Sequence, residues 1–286
     1  MSAVLARAAV TPRKRSRGVL TRIGFWLAVG WLGLMILCAL VPFLLAPYDP
    51  IEQHLESVLA TPNPEFWLGT DGIGRDVFSR LVWGARPALI GVAIAMGTAL
   101  VLGILWGLVS GYVGGVVDML LMRVADVFLA FPSALLSIAI STILGGTLAV
   151  TMVAVGIALA PSIARLMRSG AIVVRDREYV EASRMYGYGL WHRMIRHVFP
   201  NALLPVMVQV TVFAGITLLA QTGLGFLGIG VQPPEASWGA SLGESFRYMN
   251  YNIWMTIIPG LVVVMTVLSL YTVGDRLRDR FADGAP

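Results

Sequence analysis

Five stretches without a charged residue constrain this chain more than anything else in it. They are Ile23–Tyr48 (26 residues), Pro87–Val117 (31), Val127–Ala164 (38), Val198–Pro234 (37) and Tyr248–Gly274 (27). A helix crosses a hydrocarbon core with about 20 apolar residues, so every stretch is long enough to span. Composition agrees: 57% of the residues are hydrophobic and 13% charged, against roughly 45–50% and 25% in a soluble domain. The expected fold class is an all-α integral membrane protein.

The number of spans follows from length and charge together. As one helix, the 38-residue stretch Val127–Ala164 would run about 57 Å at 1.5 Å per residue, nearly twice a core of about 30 Å. Division at Gly145–Thr147 gives two helices if the first begins near Val117, which places Asp118, Arg123 and Asp126 near its start. Arg123 and Asp126 stand three apart and can pair on one face; a structural pair, or snorkelling at the interface, is the reading preferred over a transport relay.

Sixteen of the 21 basic residues fall in three places: six before the first span, seven between Arg165 and Arg196, and three at Arg276–Arg280. Cytoplasmic loops carry the excess of Arg and Lys, so the three groups share one side and an even number of spans separates each pair. That requires six spans, at about 24–46, 87–111, 117–142, 147–168, 202–229 and 250–274, with both termini cytoplasmic. The N-terminal tail (1–23) is basic, and the uncharged run behind it exceeds the about 7–15 residues of a signal-peptide core, so an uncleaved first span (24–47) is expected. Residues 48–86 form an external loop with six acidic residues and three arginines. Within it, Val77, Phe78, Leu81 and Val82 share a face that Arg80 avoids, as in an amphipathic helix lying on the membrane surface. Cys38, the single cysteine, reads as a core thiol.

What the chain lacks narrows its function. Its one lysine, Lys14, lies between arginines rather than after a glycine-rich turn, so there is no P-loop for ATP. His54, His192 and His197 form no metal set: His192 and His197, five apart, stand roughly 140° apart on an α-helix. The run Gly223–Gly228 fits G-x-G-x-x-G but lies inside an uncharged span, where small residues serve close helix packing rather than a dinucleotide. Gly103, Gly107 and Gly111 make two overlapping G-x-x-x-G units, a helix contact within the chain or with a partner. Spans two, five and six carry no charge, which leaves a self-sufficient secondary transporter or channel few relays. The basic groups sit between apolar runs, so nucleic acid is not an expected partner; membrane lipid is.

The interval between the fourth and fifth spans, 169–201, is longer than the about 2–8 residues a helical connection needs. Tyr179–Tyr186 reads as helical, with Tyr179, Ala182 and Tyr186 on one face and Glu181 and Arg184 off it. Gly187 and Gly189 permit a sharp bend. Leu190, Met194 and Val198 restart an amphipathic helix with Arg193, Arg196 and His197 on its wet side, ending near Pro200. Two readings stay open on these residues: a solvated loop against lipid head groups, or a projecting helix–bend–helix that docks on another protein.

The stretch EASRMYGYGLWHRMIRHVFPNALLP, Glu181–Pro205, closely resembles the EAA loop of ABC importer permeases. Glu181, Ala182, Ser183, Gly187 and Pro200 fall at matching positions; Ser183, His197 and Phe199 depart from the general pattern while keeping size or helical compatibility. Leu68–Arg86, Asp118–Ser133 and Phe226–Leu242 are similar to the C-type permease of the peptide/nickel importers, so the likeness covers nearly the whole chain. It implies a type I ABC importer permease fold, with a five-helix core at 87–275, a coupling loop at 169–201 and a cytoplasmic tail at 276–286. It also implies a heteromeric assembly in a bacterial plasma membrane: a homologous, non-identical permease, two ATPase subunits that bind ATP and Mg, and an external solute-binding protein. The chain itself would hold no cofactor and catalyse nothing. Its cargo would be di- or oligopeptides, and Tyr179, Glu181, Ala182, Ser183, Tyr186, Gly187 and Pro200 would carry the motion of the ATPases.

Overall fold

In lipid, backbone amides and carbonyls must be satisfied within the protein, and the structure, a computed structural model describing residues 19–283, meets that demand with helices. The first is α1 (Val19–Leu40), followed at Pro42 by the single turn α2 (Pro42–Leu45). Then come α3 (Val77–Val113), α4 (Gly115–Ala130), α5 (Ser133–Leu144), α6 (Leu148–Arg175), α7 (Glu178–Met185) and α8 (Leu190–Arg193). A π-turn over Met194–Val198 leads into α9 (Phe199–Ala202), α10 (Leu204–Phe226), α11 (Trp238–Phe246) and α12 (Trp254–Asp283). Helices α1, α3, α6, α10 and α12 are each long and apolar enough to cross a membrane. Helices α4 and α5, bent by 89° between them, are together long and apolar enough for a sixth crossing if they count as one span. Most of the basic N-terminal tail (1–18) and residues 284–286 lie outside the described residues.

The centre of the bundle is the α3–α6 contact, and glycine makes it. A Cβ at Gly103 would lie 2.7 Å from the Ala160 carbonyl oxygen, one at Gly111 2.7 Å from that of Arg168, and one at Gly107 would overlap that of Ala164. The two G-x-x-x-G units thus face α6 of the same chain. Close backbone approach without side chains is how helices associate in lipid, where apolar burial drives nothing. The division expected at Gly145–Thr147 is present: Gly145 and Gly146 take positive φ, and the Thr147 side chain caps α6 by accepting from the Val150 amide. In the G-x-G-x-x-G run, Gly225 meets the Gly239 Cα of α11 at a Cβ distance of 3.2 Å, while Gly223 faces open space. Cys38 is buried beside Met35, Leu81 and Val267.

Ahead of the second crossing the expected surface helix is not a separate element. Val77 begins α3 itself, and the helix continues through Pro87 for 37 residues. Arg80, expected on a wet face, is 3% exposed. The reason is that the connection before α3 folds over it. Arg75 bridges Asp71 (2.6 Å) and Glu244 of α11 (2.5 Å), and Arg80 donates to the Pro50 carbonyl (3.0 Å) within reach of the same two carboxylates (3.7 and 3.9 Å). Asp76 caps α3 through the Ser79 amide and hydroxyl, and the Trp238 indole donates to the Leu81 carbonyl (2.9 Å). Buried arginines of this kind require paired carboxylates; helical periodicity alone cannot show that the carboxylates arrive from elsewhere.

The glycine contact gives a paired test. Gly107→Ala forces α3 and α6 apart and costs about 1–3 kcal/mol, whereas Gly97→Ala meets nothing within 4 Å and gains helix propensity. Thermal unfolding of the purified proteins in detergent will show a clear loss for Gly107→Ala and none for Gly97→Ala; equal behaviour would contradict the packing.

Candidate functional site

At the end of the bundle where α3 and α6 stop, charge ties the helices together. The Arg168 guanidinium donates to both carboxylate oxygens of Asp118 (2.5 and 2.6 Å), to which Ser110 also donates, and Arg175 donates to the Gly111 carbonyl (3.0 Å). Asp126 pairs with Arg165 of α6 (2.7 Å), not with Arg123 on its own helix. The Arg168 and Arg175 bonds hold the ends of α3 and α6 and the start of α4 as one platform, while the Asp126–Arg165 pair lies further in, ten residues before the end of α6. The segment 176–203 projects from it, shorter than the expected 169–201 interval at its start because α6 runs helically to Arg175.

Helix α7 is amphipathic in a specific sense. Val180 and Ser183, three apart, are buried, and Val180 belongs to a core shared with Leu108, Ile163, Met167, Met194 and Val198. Tyr179, Ala182, Met185 and Tyr186 are all exposed, with Met185 81% and Tyr186 83% exposed. Tyr179, Ala182 and Tyr186 share one face by spacing, and all three are exposed. Glu181 and Arg184 turn aside to line a cleft with Arg175, Asp176, Leu190 and Arg193. Ser183 does not belong with the outward residues: it is 5% exposed and seats α7 on the bundle. Val180, the buried anchor, and Met185, among the most exposed side chains of the helix, stand outside the expected site residues, though helical spacing from Ser183 and Ala182 points to both.

The chain reverses at Gly187, which has φ +77°, a conformation that costs an L-residue about 1–2 kcal/mol. The Gly187 amide donates to the Arg184 carbonyl and the Tyr188 amide to that of Ser183, closing α7. Gly189 has ordinary extended φ (−64°) and provides the N-cap of α8. Beyond it the helix ends near Pro200, as expected, its last residue being Ala202. A proline clashes with the carbonyl four residues back and has no N–H to give it. The π-turn Met194–Val198 widens the helix just before Pro200, with the Phe199 amide bonded to the Met194 carbonyl, and the chain continues helically until the break at Leu203. Pro200 is exposed near the first turn of α9, away from the α7 apex.

The same π-turn corrects the histidine geometry. His192 and His197 were expected about 140° apart on an α-helix, yet their rings lie 5.9 Å apart, because i→i+5 bonding turns less per residue. Tyr188 stacks on His192 at 4.6 Å. Among the described residues no group of three His, Cys, Asp or Glu side chains forms a metal set.

Five apolar helices, with a bent pair that together could make a sixth, and a helix–bend–helix at one end that leaves Tyr179, Met185 and Tyr186 bare, fit a membrane-embedded transport subunit. Residues 99–284 match the family described as binding-protein-dependent transport system inner membrane component, and the chain belongs to that family. It is 40% identical over 252 residues to a di/tripeptide transport system permease protein of Pseudomonas aeruginosa, covering 86% of this chain and 83% of the relative. It is 35% identical over 246 residues to a probable D,D-dipeptide transport system permease protein of Escherichia coli (86% and 83%), and 36% over 237 residues to a glutathione transport system permease protein of Pectobacterium atrosepticum (82% and 78%). An inward-facing structure of the MetNI methionine ABC transporter superposes with a TM-score of 0.58 over 69% of this chain and 94% of that one, at 19% identity. At that identity the likeness speaks for the fold, which is that of ABC importer permeases.

Burial of Val180 predicts where α7 takes its rigidity. Val180→Ala will remove contacts worth about 1–2 kcal/mol and speed amide hydrogen exchange across α7, while Tyr186→Ala will leave that exchange unchanged. Equal protection in both variants would show that α7 is not anchored through its inner face.

Proposed function

We propose that this chain is one of two permease subunits of an ATP-driven peptide importer, and that α7 is the element through which ATPase subunits move it. One observation carries the reading: α7 buries Val180 in the core that α3 and α6 share, with Ser183 buried as well, and leaves Tyr179, Ala182, Met185 and Tyr186 exposed. A partner that grips the bare face pulls directly on the crossings. Peptide as cargo rests on the names of the relatives, which belong to di/tripeptide, D,D-dipeptide and glutathione systems.

In this reading the α7 end faces the cytoplasm, since seven arginines between Arg165 and Arg196 follow the positive-inside rule, and both termini lie on that side. Two ATPase subunits bind ATP and its magnesium ion and dock on α7. A homologous, non-identical permease completes the pathway in a bacterial inner membrane. A solute-binding protein delivers peptide to the opposite end, where the cap 48–86 and the α10–α12 connection meet. Glu181 contacts the ATPase groove beside the bare face, Gly187 permits the reversal, and Pro200 marks the return toward the membrane.

Two experiments test this. Gly187→Val places a β-branched residue at φ +77°, where it is strained by at least about 1–2 kcal/mol. The complex should assemble and hydrolyse ATP while peptide uptake falls severalfold; unchanged uptake would count against coupling through this bend. A cysteine at Glu181 should crosslink to an ATPase subunit and resist an impermeant thiol reagent added outside intact cells. Labelling from outside would overturn the orientation.

A further inference from the structure

The broken crossing carries an inference that deepens the importer reading. Between α4 and α5 the chain turns by 89° at Phe131 and Pro132, and the six residues Ala130–Leu135 are all exposed. Its depth can be placed. Ser141 of α5 meets Thr151 of α6 at 2.6 Å. Ser133 lies eight residues before Ser141 and Thr151 three residues past the start of α6, so the elbow sits roughly 17 Å from that end at 1.5 Å per residue. That is about the middle of a hydrocarbon core of about 30 Å.

An open elbow at that depth is incompatible with lipid. Breaking the helix frees the last carbonyls of α4 and the first amides of α5. Phe131 returns one bond to the Phe128 carbonyl and Leu136 one to that of Pro132, but no side chain caps the start of α5. Unsatisfied backbone groups cost several kcal/mol each in hydrocarbon, and irregular backbone persists at membrane depth only when covered by protein or facing water. A second, separate observation chooses between those two. Asp126, one turn before the elbow, and its partner Arg165 are 50% and 52% exposed. Arg123, on the same face of α4 as Asp126 and Ala130, is exposed as well. Arginine can snorkel on a long stem; the short aspartate cannot, and a half-exposed carboxylate needs water beside it.

We infer that the elbow and the Arg123–Asp126–Ala130 face of α4 form a wet wall of the translocation pathway, with water and passing peptide as its occupants. The free backbone groups supply hydrogen-bond partners to any peptide, whatever its side chains. This wall serves a cargo class in which the backbone is constant and the side chains vary.

The test places single cysteines at Ala130, Phe131 and Ser133 in the assembled complex, in a Cys38→Ser background, and measures reaction with a charged, membrane-impermeant thiol reagent. The controls are Val101→Cys and Leu105→Cys on the exposed outer face of α3. A thiol in hydrocarbon is held neutral and unreactive, so the elbow cysteines should label at least about tenfold faster than the controls. Added peptide substrate should slow that labelling. Elbow cysteines that stay as unreactive as the controls would overturn the inference; so would crosslinking of all three to the second permease with no labelling, which would make the elbow a dry subunit contact. ATP-dependent peptide uptake by the Cys38→Ser complex reads the importer assignment separately: labelled cysteines without uptake would leave the wet wall standing and remove only its cargo.

Discussion

An arginine at the bilayer centre costs about 2.5–3.5 kcal/mol on insertion scales, and the rest of this structure depends on how that cost is avoided. Of the seven arginines between Arg165 and Arg196, Arg177, Arg184, Arg193 and Arg196 lie beyond α6; they cannot lie in hydrocarbon, so the chain between α6 and α10 must leave it. Some of the seven are put to use on the way out. Arg168 fixes Asp118 and Arg175 fixes the Gly111 carbonyl, making the ends of three helices into a platform. Others, Arg184 and Arg193, face the cleft beside α7. Charge thus both expels the segment from lipid and gives it a rigid base.

Packing then decides what the expelled segment can transmit. A basic loop floating over head groups would move nothing. Here Val180, Met194 and Val198 continue the core of Leu108, Ile163 and Met167 without a gap, while glycines at 103, 107 and 111 lock α3 to α6. A displacement of α7 therefore reaches both central helices. The opposite end is braced differently, by the buried Asp71–Arg75–Glu244 bridges and the Trp238–Leu81 bond. In the proposed reading one end offers a bare face to a partner while the other is braced, an asymmetry suited to moving the crossings from one side.

Much of this was legible in the sequence because lipid punishes local errors heavily. Run length and arginine position yield the long apolar helices, the division at Gly145–Thr147, and the helix and reversal at Tyr179–Gly187. What local periodicity missed was long-range pairing. Arg80 looked solvated because its neighbours on the helix are apolar; its carboxylates come from residue 71 and from α11, 164 positions later. The 89° elbow at Phe131–Pro132 was absorbed into one expected span, although the proline stood there as a signal. The π-turn was invisible to an α-helical wheel, which misplaced the separation of His192 from His197. In the candidate site, the outward face was readable from spacing, while the inward role of Ser183 needed its neighbours.

The central claim is that this subunit is driven, through α7, by hydrolysis elsewhere in an assembly. Reconstitution in sealed vesicles tests it most directly, with peptide accumulation measured for this chain alone and for the complex with its second permease, ATPase subunits, binding protein and ATP. The account predicts accumulation only in the complete, ATP-supplied vesicles. Accumulation by this chain alone would contradict it.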